Sequence, residues 1–384
     1  METSFNRRLV FWGACAGMLL FGICFITLGS VTIHLKSKFN FSDLQIGSLF
    51  AILPLGIIAG SLFFGPIVDR YGYKWLLFAS ALGLAIGFYG IGNAQSINLL
   101  RIAVFIFGFG GGAINGATNA LVSLISETNK VANLSLLGVF YGIGGLGMPL
   151  VLSSLSRIAG PEQIVTYVSV LALSIGIVLL LVHYPPPLRS TPITLQQATS
   201  IFKSKLALMI TAFLFLQMSL EAIVNNWTTS YLTGFRGVSE EKALIGLSFF
   251  VGGITIMRIF IGSIWRNATE RKLIVAAMIL LLVGSLTFLQ SSIWYLYPGL
   301  VLFGAGIAVG FPLMLGMIGS LYREMAGTAF SVVIVIGLLG NLGLNYLMGF
   351  VAENYGIQYF STAILIIWLL MVLLSFLIFK RNSK

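Results

Sequence analysis

The stretch GPIVDRYGYK, residues 65–74, separates two long apolar segments and decides how the rest of the chain is interpreted. Gly65 has no side chain and permits close contact between helices, and Gly72 permits a tight turn. Asp69 places a negative charge where an apolar segment ends, and such a charge can hold a neighbouring helix through charge and dipole interactions. An ordinary charged turn is the alternative. We predict that this stretch forms a latch that holds the protein in one of its conformations. The residues of this predicted conformational latch are Gly65, Asp69, Arg70, Gly72 and Lys74.

Outward from this stretch, the chain is apolar almost from end to end. Of its 384 residues 58% are hydrophobic and 9% are charged, and the mean hydropathy is +1.00. Soluble domains carry about a quarter charged residues, so this chain cannot cover itself with a water-compatible surface. The formal net charge of +11 comes from basic residues that stand singly between apolar segments, without a basic stripe and interleaved aromatic residues. This pattern excludes a nucleic-acid partner and predicts a lipid bilayer as the surroundings.

Apolar segments long enough to cross a bilayer recur along the whole chain. A span requires about 20 mostly apolar residues, and glycine, proline and charged residues divide the chain into twelve such segments. The longest polar stretch, HYPPPLRSTPITLQQATSIFKSK, follows the sixth segment. We therefore predict an all-α polytopic membrane protein with an N-terminal six-helix bundle over 1–183, a cytoplasmic linker over 184–205 and a C-terminal six-helix bundle over 206–384. The predicted helices lie near 9–33, 43–66, 74–93, 98–125, 132–156, 163–183, 206–232, 240–264, 272–290, 293–321, 326–350 and 357–379.

The two halves repeat one another at a nearly constant spacing. Glycines of the first half are followed by glycines of the second half 197 or 196 residues later, across several predicted helices. A duplicated six-helix unit with pseudo-twofold symmetry explains this spacing. The matched pairs are Gly56 and Gly253, Gly65 and Gly262, Gly108 and Gly304, Gly110 and Gly306, Gly144 and Gly340, and Gly147 and Gly343.

The charges of the loops orient the predicted spans. Most of the 22 Lys and Arg residues fall in loops on the same side as the two chain ends. Loops rich in Lys and Arg stay on the cytoplasmic side of a membrane. We therefore predict that both termini are cytoplasmic.

The stretch at 65–74 resembles the G-x-x-x-D-R-x-G-[RK]-[RK] loop of the major facilitator superfamily, and other motifs are similar to those of its fucose–galactose–glucose:proton symporter group. The resemblance implies the major facilitator fold, with two pseudo-symmetric six-helix bundles, and uptake of a sugar with protons. Members of that group carry an acidic residue in spans one and four, whereas this chain has none in span one and has Asn115 and Asn119 in span four. The motifs are Phe39-x-Phe41-Ser42-x-x-Gln45-x-Gly47, Gly110-Gly111-Gly112 with Asn119-Ala120-Leu121, Phe140-x-Gly142-x-Gly144 with Pro149, and Glu221 with Trp227 and Tyr231.

One carboxylate stands near the middle of a predicted span. Glu221 lies four residues from both Gln217 and Asn225, so the three side chains share one face of the seventh helix. Ionisable groups inside a bilayer are energetically expensive and usually face an aqueous cavity. We predict that Glu221 couples transport to protons and that it binds the solute together with Asn225, Asn226 and Trp227. A structural carboxyl group hydrogen-bonded to another helix is the alternative.

Further polar side chains within spans predict solute contacts. Asn115 and Asn119 are four residues apart in the fourth span, and Asn341 and Asn345 repeat this spacing in the eleventh. Carboxamides donate and accept hydrogen bonds, as sugar hydroxyls require, but they also join helices inside membranes. Tyr141 could stack on a sugar ring or pack between helices.

A basic residue, Arg258, lies inside the eighth predicted span. It could be an ion partner for Glu221 or for an anionic substrate. The alternative is an arginine that reaches to the membrane interface or to a helix-end carbonyl group.

The sequence contains no phosphate-binding loop and no cluster of His and Cys ligands, so we predict no enzyme, no cofactor and no metal site. Uphill transport must then use an ion gradient. We predict a monomeric secondary active transporter that takes up a small polar solute, a sugar, with protons or another coupling ion across a bacterial cytoplasmic (inner) membrane. The alternatives are a proton-coupled exporter of drugs or amphipathic metabolites on the same fold, and a non-transporting membrane sensor.

Overall fold

The computed structural model of the protein describes residues 5–39, 43–155, 158–187, 200–288 and 293–382. Within these ranges all regular secondary structure is helical, and twelve long helices follow one another along the chain. The predicted linker lies for the most part outside the described residues. The long helices are α1 (Arg7–Phe39), α2 (Asp43–Tyr71), α3 (Tyr73–Asn93), α4 (Ile97–Ile125), α5 (Lys130–Leu155), α6 (Pro161–Leu181), α7 (Lys205–Gly234), α8 (Glu240–Ser263), α9 (Glu270–Thr287), α10 (Ile293–Leu321), α11 (Ala326–Asn354) and α12 (Phe360–Asn382).

Eleven of these described helices contain a stretch long and apolar enough to cross a membrane. The other, α9, has 18 residues and begins with Glu270, Arg271 and Lys272, so part of its length is a charged first turn. A helix satisfies its backbone hydrogen bonds within its own segment, which is what a chain without water around it requires. The predicted all-α, polytopic architecture is confirmed.

The connection between the two helices that meet at the 65–74 stretch is shorter than predicted. Helix α2 continues past Pro66 to Tyr71 and α3 begins at Tyr73, so Gly72 alone separates them. Gly72 has a φ of +79°, a conformation that glycine adopts without steric penalty. Asp69 consequently lies in the last turn of α2 and not in a loop, which fixes its position relative to the helix axis.

Contacts along the chain divide the helices into two compact units, and each unit includes a short segment from the other half of the sequence. The start of α11 belongs to the first unit, and the start of α5 belongs to the second. The first unit comprises Met1–Glu127, Leu137–Thr194 and Tyr322–Val332, and the second comprises Thr128–Leu136, Leu195–Leu321 and Val333–Lys384.

Glycine brings α2 and α4 into backbone contact in the first unit. A Cβ atom on Gly108 of α4 would lie 2.5 Å from the carbonyl oxygen of Leu53 on α2, closer than such atoms can approach. In the second unit, a Cβ on Gly304 of α10 would meet the carbonyl oxygen of Phe250 on α8 in the same way. Gly108 and Gly304 are one of the repeated pairs, so the duplication extends from the sequence to the packing of the helices.

We expect the substitution Gly108→Ala to lower the melting temperature of the purified protein. The added methyl group overpacks the contact between α2 and α4, which costs about 1–3 kcal/mol, more than the roughly 1 kcal/mol of helix propensity gained. Gly83→Ala on α3 is the matched control, because a Cβ there comes no nearer than 3.7 Å to the Cα of Gly110. Thermal unfolding followed by fluorescence should show an unchanged or higher melting temperature for Gly83→Ala. Equal melting temperatures for the two variants would contradict the close contact.

Candidate functional site

The carboxylate of Asp69 binds the beginning of α11 within the first unit. Its two oxygens accept hydrogen bonds from the backbone N–H groups of Gly327 and Thr328, at distances of 3.0 and 2.7 Å. Donors in the first turn of a helix have no partner within the helix, and the helix dipole favours a negative charge at this end. Asp69 is only 6% exposed, so water competes weakly for these donors. The predicted charge and dipole interaction therefore has a defined geometry.

Small residues bring α2 and α11 close enough for that contact. A Cβ atom on Gly65 would lie 2.5 Å from the carbonyl oxygen of Gly327. About one turn further along α11, the hydroxyl of Ser331 donates one bifurcated hydrogen bond to the carbonyl oxygens of Ser61 and Leu62, at 2.5 and 2.9 Å. The sequence analysis predicted a helix contact at Gly65 but did not identify Gly327 and Ser331 of α11 as its partners.

The other predicted latch residues lie at the surface or in the turn. Arg70 is exposed, and its guanidinium carbon lies 4.8 Å from the centre of the Tyr71 ring. Lys74 is exposed in the first turn of α3, and Gly72 forms the turn between the helices. The contact with α11 is thus made by Gly65 and Asp69, while Gly72 sets the position at which α2 ends.

The second unit contains a counterpart of this contact with the opposite charge. Arg266 stands 197 residues after Asp69, and its guanidinium group donates a hydrogen bond to Oδ1 of Asn133 near the start of α5, at 3.0 Å. A Cβ atom on the nearby Gly262 would meet the side chain of Leu136, also on α5. A cation cannot accept hydrogen bonds from helix N–H groups, so this copy uses a side-chain oxygen instead.

A polar cluster joins α7 and α11 in the second unit, and Asn345 is at its centre. The Oδ1 atom of Asn345 accepts hydrogen bonds from Nδ2 of Asn226 at 3.1 Å and from Nε1 of Trp227 at 3.2 Å. Its Nδ2 donates to the backbone oxygen and to Oδ1 of Asn341, at 3.0 and 2.9 Å. The structure thus brings together Asn226, Trp227 and Asn341, which were predicted from separate spans. We name these four residues the α7–α11 cluster.

The predicted stripe along α7 has neighbours on more than one helix. Gln217 is 1% exposed, its Nε2 donates to the carbonyl oxygen of Ile307 on α10 at 2.8 Å, and no described group donates to its Oε1. Glu221 and Asn225 are half-buried. The positive charge of Arg258, a buried residue of α8, acts on the Glu221 carboxyl group. Gln217 therefore anchors the stripe, while Glu221 lies within the electrostatic reach of a buried cation.

The candidates of the first unit are arranged differently. Nδ2 of Asn119 donates to the backbone oxygen of Asn115 at 2.9 Å and to its Oδ1 at 3.1 Å, and Asn119 is almost completely buried. Asn115 is half-buried. On α5, the half-buried Tyr141 has ring centroids of Phe21 and Phe25 from α1 at 5.5 and 6.1 Å. These contacts place Tyr141 in an aromatic group and link the two asparagines within one helix.

The sequence profile of the Major Facilitator Superfamily matches residues 13–269, more than half of the chain. The chain belongs to this superfamily. Its members are transporters and not enzymes, in agreement with the prediction.

Several curated relatives align over most of the chain. The uncharacterized transporter y4wD of Sinorhizobium fredii is 26% identical over 322 residues, which cover 80% of this chain and 82% of that protein. The probable nitrate transporter NarT of Staphylococcus epidermidis is 21% identical and covers 89% of both chains. The glucose/mannose transporter GlcP of Bacillus subtilis is 24% identical and covers 85% of this chain and 84% of its own. The names of these superfamily members differ in the solute they state.

Solved structures establish the major facilitator fold. The fucose:proton symporter FucP of Escherichia coli superimposes with a TM-score of 0.81 at 15% sequence identity, covering 96% of this chain and 98% of that chain. The proton:xylose symporter XylE superimposes with a TM-score of 0.80 at 15% identity, covering 99% and 96%. The predicted fold, with twelve helices in two pseudo-symmetric bundles, is confirmed.

We expect Asp69→Asn to lower the free energy of unfolding by about 1.5–3 kcal/mol, the value of hydrogen bonds to a charged group. The amide keeps one oxygen but points an NH₂ group at a backbone donor, and it removes the charge that the start of α11 favours. Arg70→Gln is the control, because it changes the charge of the adjacent, exposed residue without touching α11. Chemical or thermal unfolding in detergent measures the effect. If the two variants unfold alike, the Asp69 contact contributes nothing to stability.

Proposed function

We propose that the chain is a secondary active transporter that takes up a small polar solute, a sugar, together with protons by alternating access. The observation that carries the proposal is the α7–α11 cluster. It offers carboxamide donors and acceptors beside an indole ring. Sugars present many hydroxyl groups that donate and accept, and a flat apolar face that stacks on aromatic rings. A site for an amphipathic compound would need fewer polar groups.

The positions within the α7–α11 cluster support solute binding at its edge. Asn226 is exposed and Trp227 is half-buried, whereas the carboxamide of Asn345 behind them holds both through its oxygen. Held donors lose little side-chain entropy when a solute binds, which favours affinity. We therefore assign solute contacts to Asn226 and Trp227, and the positioning of these two residues to Asn345 and Asn341.

We also propose solute contacts for Glu221, Asn225, Asn115, Asn119 and Tyr141. Glu221 and Asn225 share one face of α7 and lie nearer the middle of that helix than Asn226 and Trp227. Asn115 is only half-buried and is the more accessible of the two asparagines of α4. The half-buried Tyr141 has an aromatic face that suits a sugar ring.

The names of related proteins favour this substrate class. GlcP is named for glucose and mannose, FucP for fucose and XylE for xylose, the last two as proton symporters. NarT is named as a probable nitrate transporter, which makes nitrate the principal competitor. The buried Arg258 would suit an anion, but the carboxylate of Glu221 acts on it from within the same unit.

Glu221 is our proposed proton-coupling residue. A charged carboxylate disfavours closure around an apolar site, whereas a protonated carboxyl group permits it. Arg258 would stabilise the charged form between turnovers and would thereby oppose closure in the absence of a proton. One proton would bind to the carboxylate on the outer side of the membrane and leave it on the inner side, with the solute moving in the same direction.

The contact between Asp69 and the start of α11 is our proposed conformational latch. Its hydrogen bonds hold α2 and α11 together at one end. A contact that forms in only one state of an alternating-access cycle stabilises that state. The cycle would then include rupture of these bonds.

We place the protein in a bacterial inner membrane as a monomer, with both termini cytoplasmic and with bundles over 1–183 and 206–384 joined by the linker over 184–205.

We expect Glu221→Gln to abolish sugar accumulation driven by a pH gradient while preserving sugar binding and exchange, because the amide mimics the protonated carboxyl group. Proteoliposomes with an imposed pH gradient, tested with radiolabelled glucose, mannose, fucose, xylose and nitrate, measure this directly. The control is Glu353→Gln, an exposed carboxyl group near the end of α11. Equal accumulation by wild type and Glu221→Gln would exclude Glu221 as the coupling residue. If nitrate accumulates and none of the four sugars does, nitrate would replace a sugar as the proposed solute. If the solute moves only in the direction opposite to the protons, the protein would be an exporter.

We expect Asn345→Ala to weaken sugar binding about tenfold, or roughly 1.4 kcal/mol, because side chains that are no longer held must be ordered when the solute binds, at about 0.5–1.5 kcal/mol each. The substitution leaves Asn226 and the indole N–H of Trp227 without their common acceptor. Asn354→Ala is the matched control on the same helix, because its carboxamide bonds only the backbone oxygen of Phe350 among the described contacts. Equilibrium titration followed by tryptophan fluorescence measures both affinities. An unchanged affinity in Asn345→Ala would remove the cluster from the binding site.

A further inference from the structure

A groove of about 560 Å³ lies between α9 and α12, entirely within the second unit. The pairing of the two helices is fixed by Trp368 of α12, whose indole N–H donates to the carbonyl oxygen of Met278 on α9 at 2.9 Å. The side chains along the groove are otherwise mostly aliphatic and aromatic. The volume falls within the range of roughly 300–1,000 Å³ that ligand sites occupy.

The charge of the groove is confined to one end. Arg271 in the first turn of α9 and Lys380 near the end of α12 both line it, and both are exposed. Nζ of Lys380 lies 6.0 Å from the ring centre of Phe376, a residue that also lines the groove. Among the described residues that line the groove there is no acidic side chain, so two cations face its entrance.

The length of the groove, from its charged end to its last apolar lining residue on α9, is close to the depth of one leaflet of a membrane. Arg271 and Leu282, the outermost lining residues of α9, are eleven positions apart, which corresponds to about 16 Å along a helix. Half of the hydrocarbon thickness of a bilayer is about 15 Å. A molecule with an anionic group at the membrane surface and a hydrocarbon chain of leaflet length therefore fits both the charge and the depth of the groove.

We propose that this groove is a binding site for a phospholipid with an anionic headgroup, whose phosphate contacts Arg271 and Lys380 and whose acyl chain lies along Val275, Ile279 and Phe376. The site is separate from the α7–α11 cluster and does not depend on which solute is transported. Each basic residue near a membrane surface strengthens the attraction of an anionic lipid by a factor of about five, so both together give a preference of roughly 25-fold over a zwitterionic lipid.

Native mass spectrometry of the delipidated protein, titrated with phosphatidylglycerol or with phosphatidylcholine of the same acyl chains, tests the proposal. We expect wild type to prefer phosphatidylglycerol by about the factor stated, and the double substitution Arg271→Gln/Lys380→Gln to remove the preference. Lys272→Gln is the matched control, because Lys272 is an exposed neighbour with the same charge that does not line the groove. We expect it to retain the preference.

A second variant tests the apolar part of the groove. Ile279 is 56% exposed and lines the groove, so Ile279→Trp should fill the groove from the lipid side without disturbing the protein interior. We expect it to reduce the affinity for both lipids at an unchanged melting temperature. The proposal is overturned if the double variant keeps its preference for phosphatidylglycerol, if Lys272→Gln loses as much as the double variant, or if Ile279→Trp binds both lipids like wild type.

Discussion

Helices inside a membrane cannot be held together by the hydrophobic effect, because lipid is as apolar as their side chains, and this constraint governs the structure. Close backbone contact and hydrogen bonds between helices must supply the attraction. The contacts at Gly108 and Gly304 are of the first kind, and those of Ser331 and Gln217 are of the second. The serine and glutamine bonds end on backbone carbonyl oxygens, so they join helices without requiring a polar partner side chain.

The duplicated halves use one geometry with two kinds of chemistry. Asp69 and Arg266 occupy equivalent positions at the ends of α2 and α8, and each reaches the first turns of a helix that comes from the opposite half of the sequence. The acidic copy is buried and bonds two backbone donors, whereas the basic copy is exposed and bonds one carboxamide oxygen. The acidic copy is therefore the stronger contact, since charge-assisted bonds are most effective where water is excluded.

Much of this architecture could be predicted from the sequence, because hydropathy and glycine spacing report directly on spans and on close helix contacts. The twelve helices and the superfamily followed from those two signals and from the 65–74 stretch. The end of α2 was predicted too early, since Pro66 was treated as a break although the helix continues through it. The partners of Asp69 were not predicted, because they are backbone groups and the small-residue run AGTAFS at 326–331 does not state which helix it meets. The central position of Asn345 could not be predicted for the same reason. A spacing of four residues places it beside Asn341, but nothing in the sequence orients it towards α7.

The order in which the chain is synthesised gives the Asp69 contact a further consequence. Asp69 and Gly327 are 258 residues apart, which at about 5–20 residues per second corresponds to roughly 13–50 s of translation. During that interval the first six helices can already be in the membrane, while the segment that completes their unit has not yet been made. The carboxylate at the end of α2 must then stay hydrated at the membrane surface, and the seam beside Gly65 is open. Assembly of the first unit therefore ends only when the ribosome has nearly finished the second.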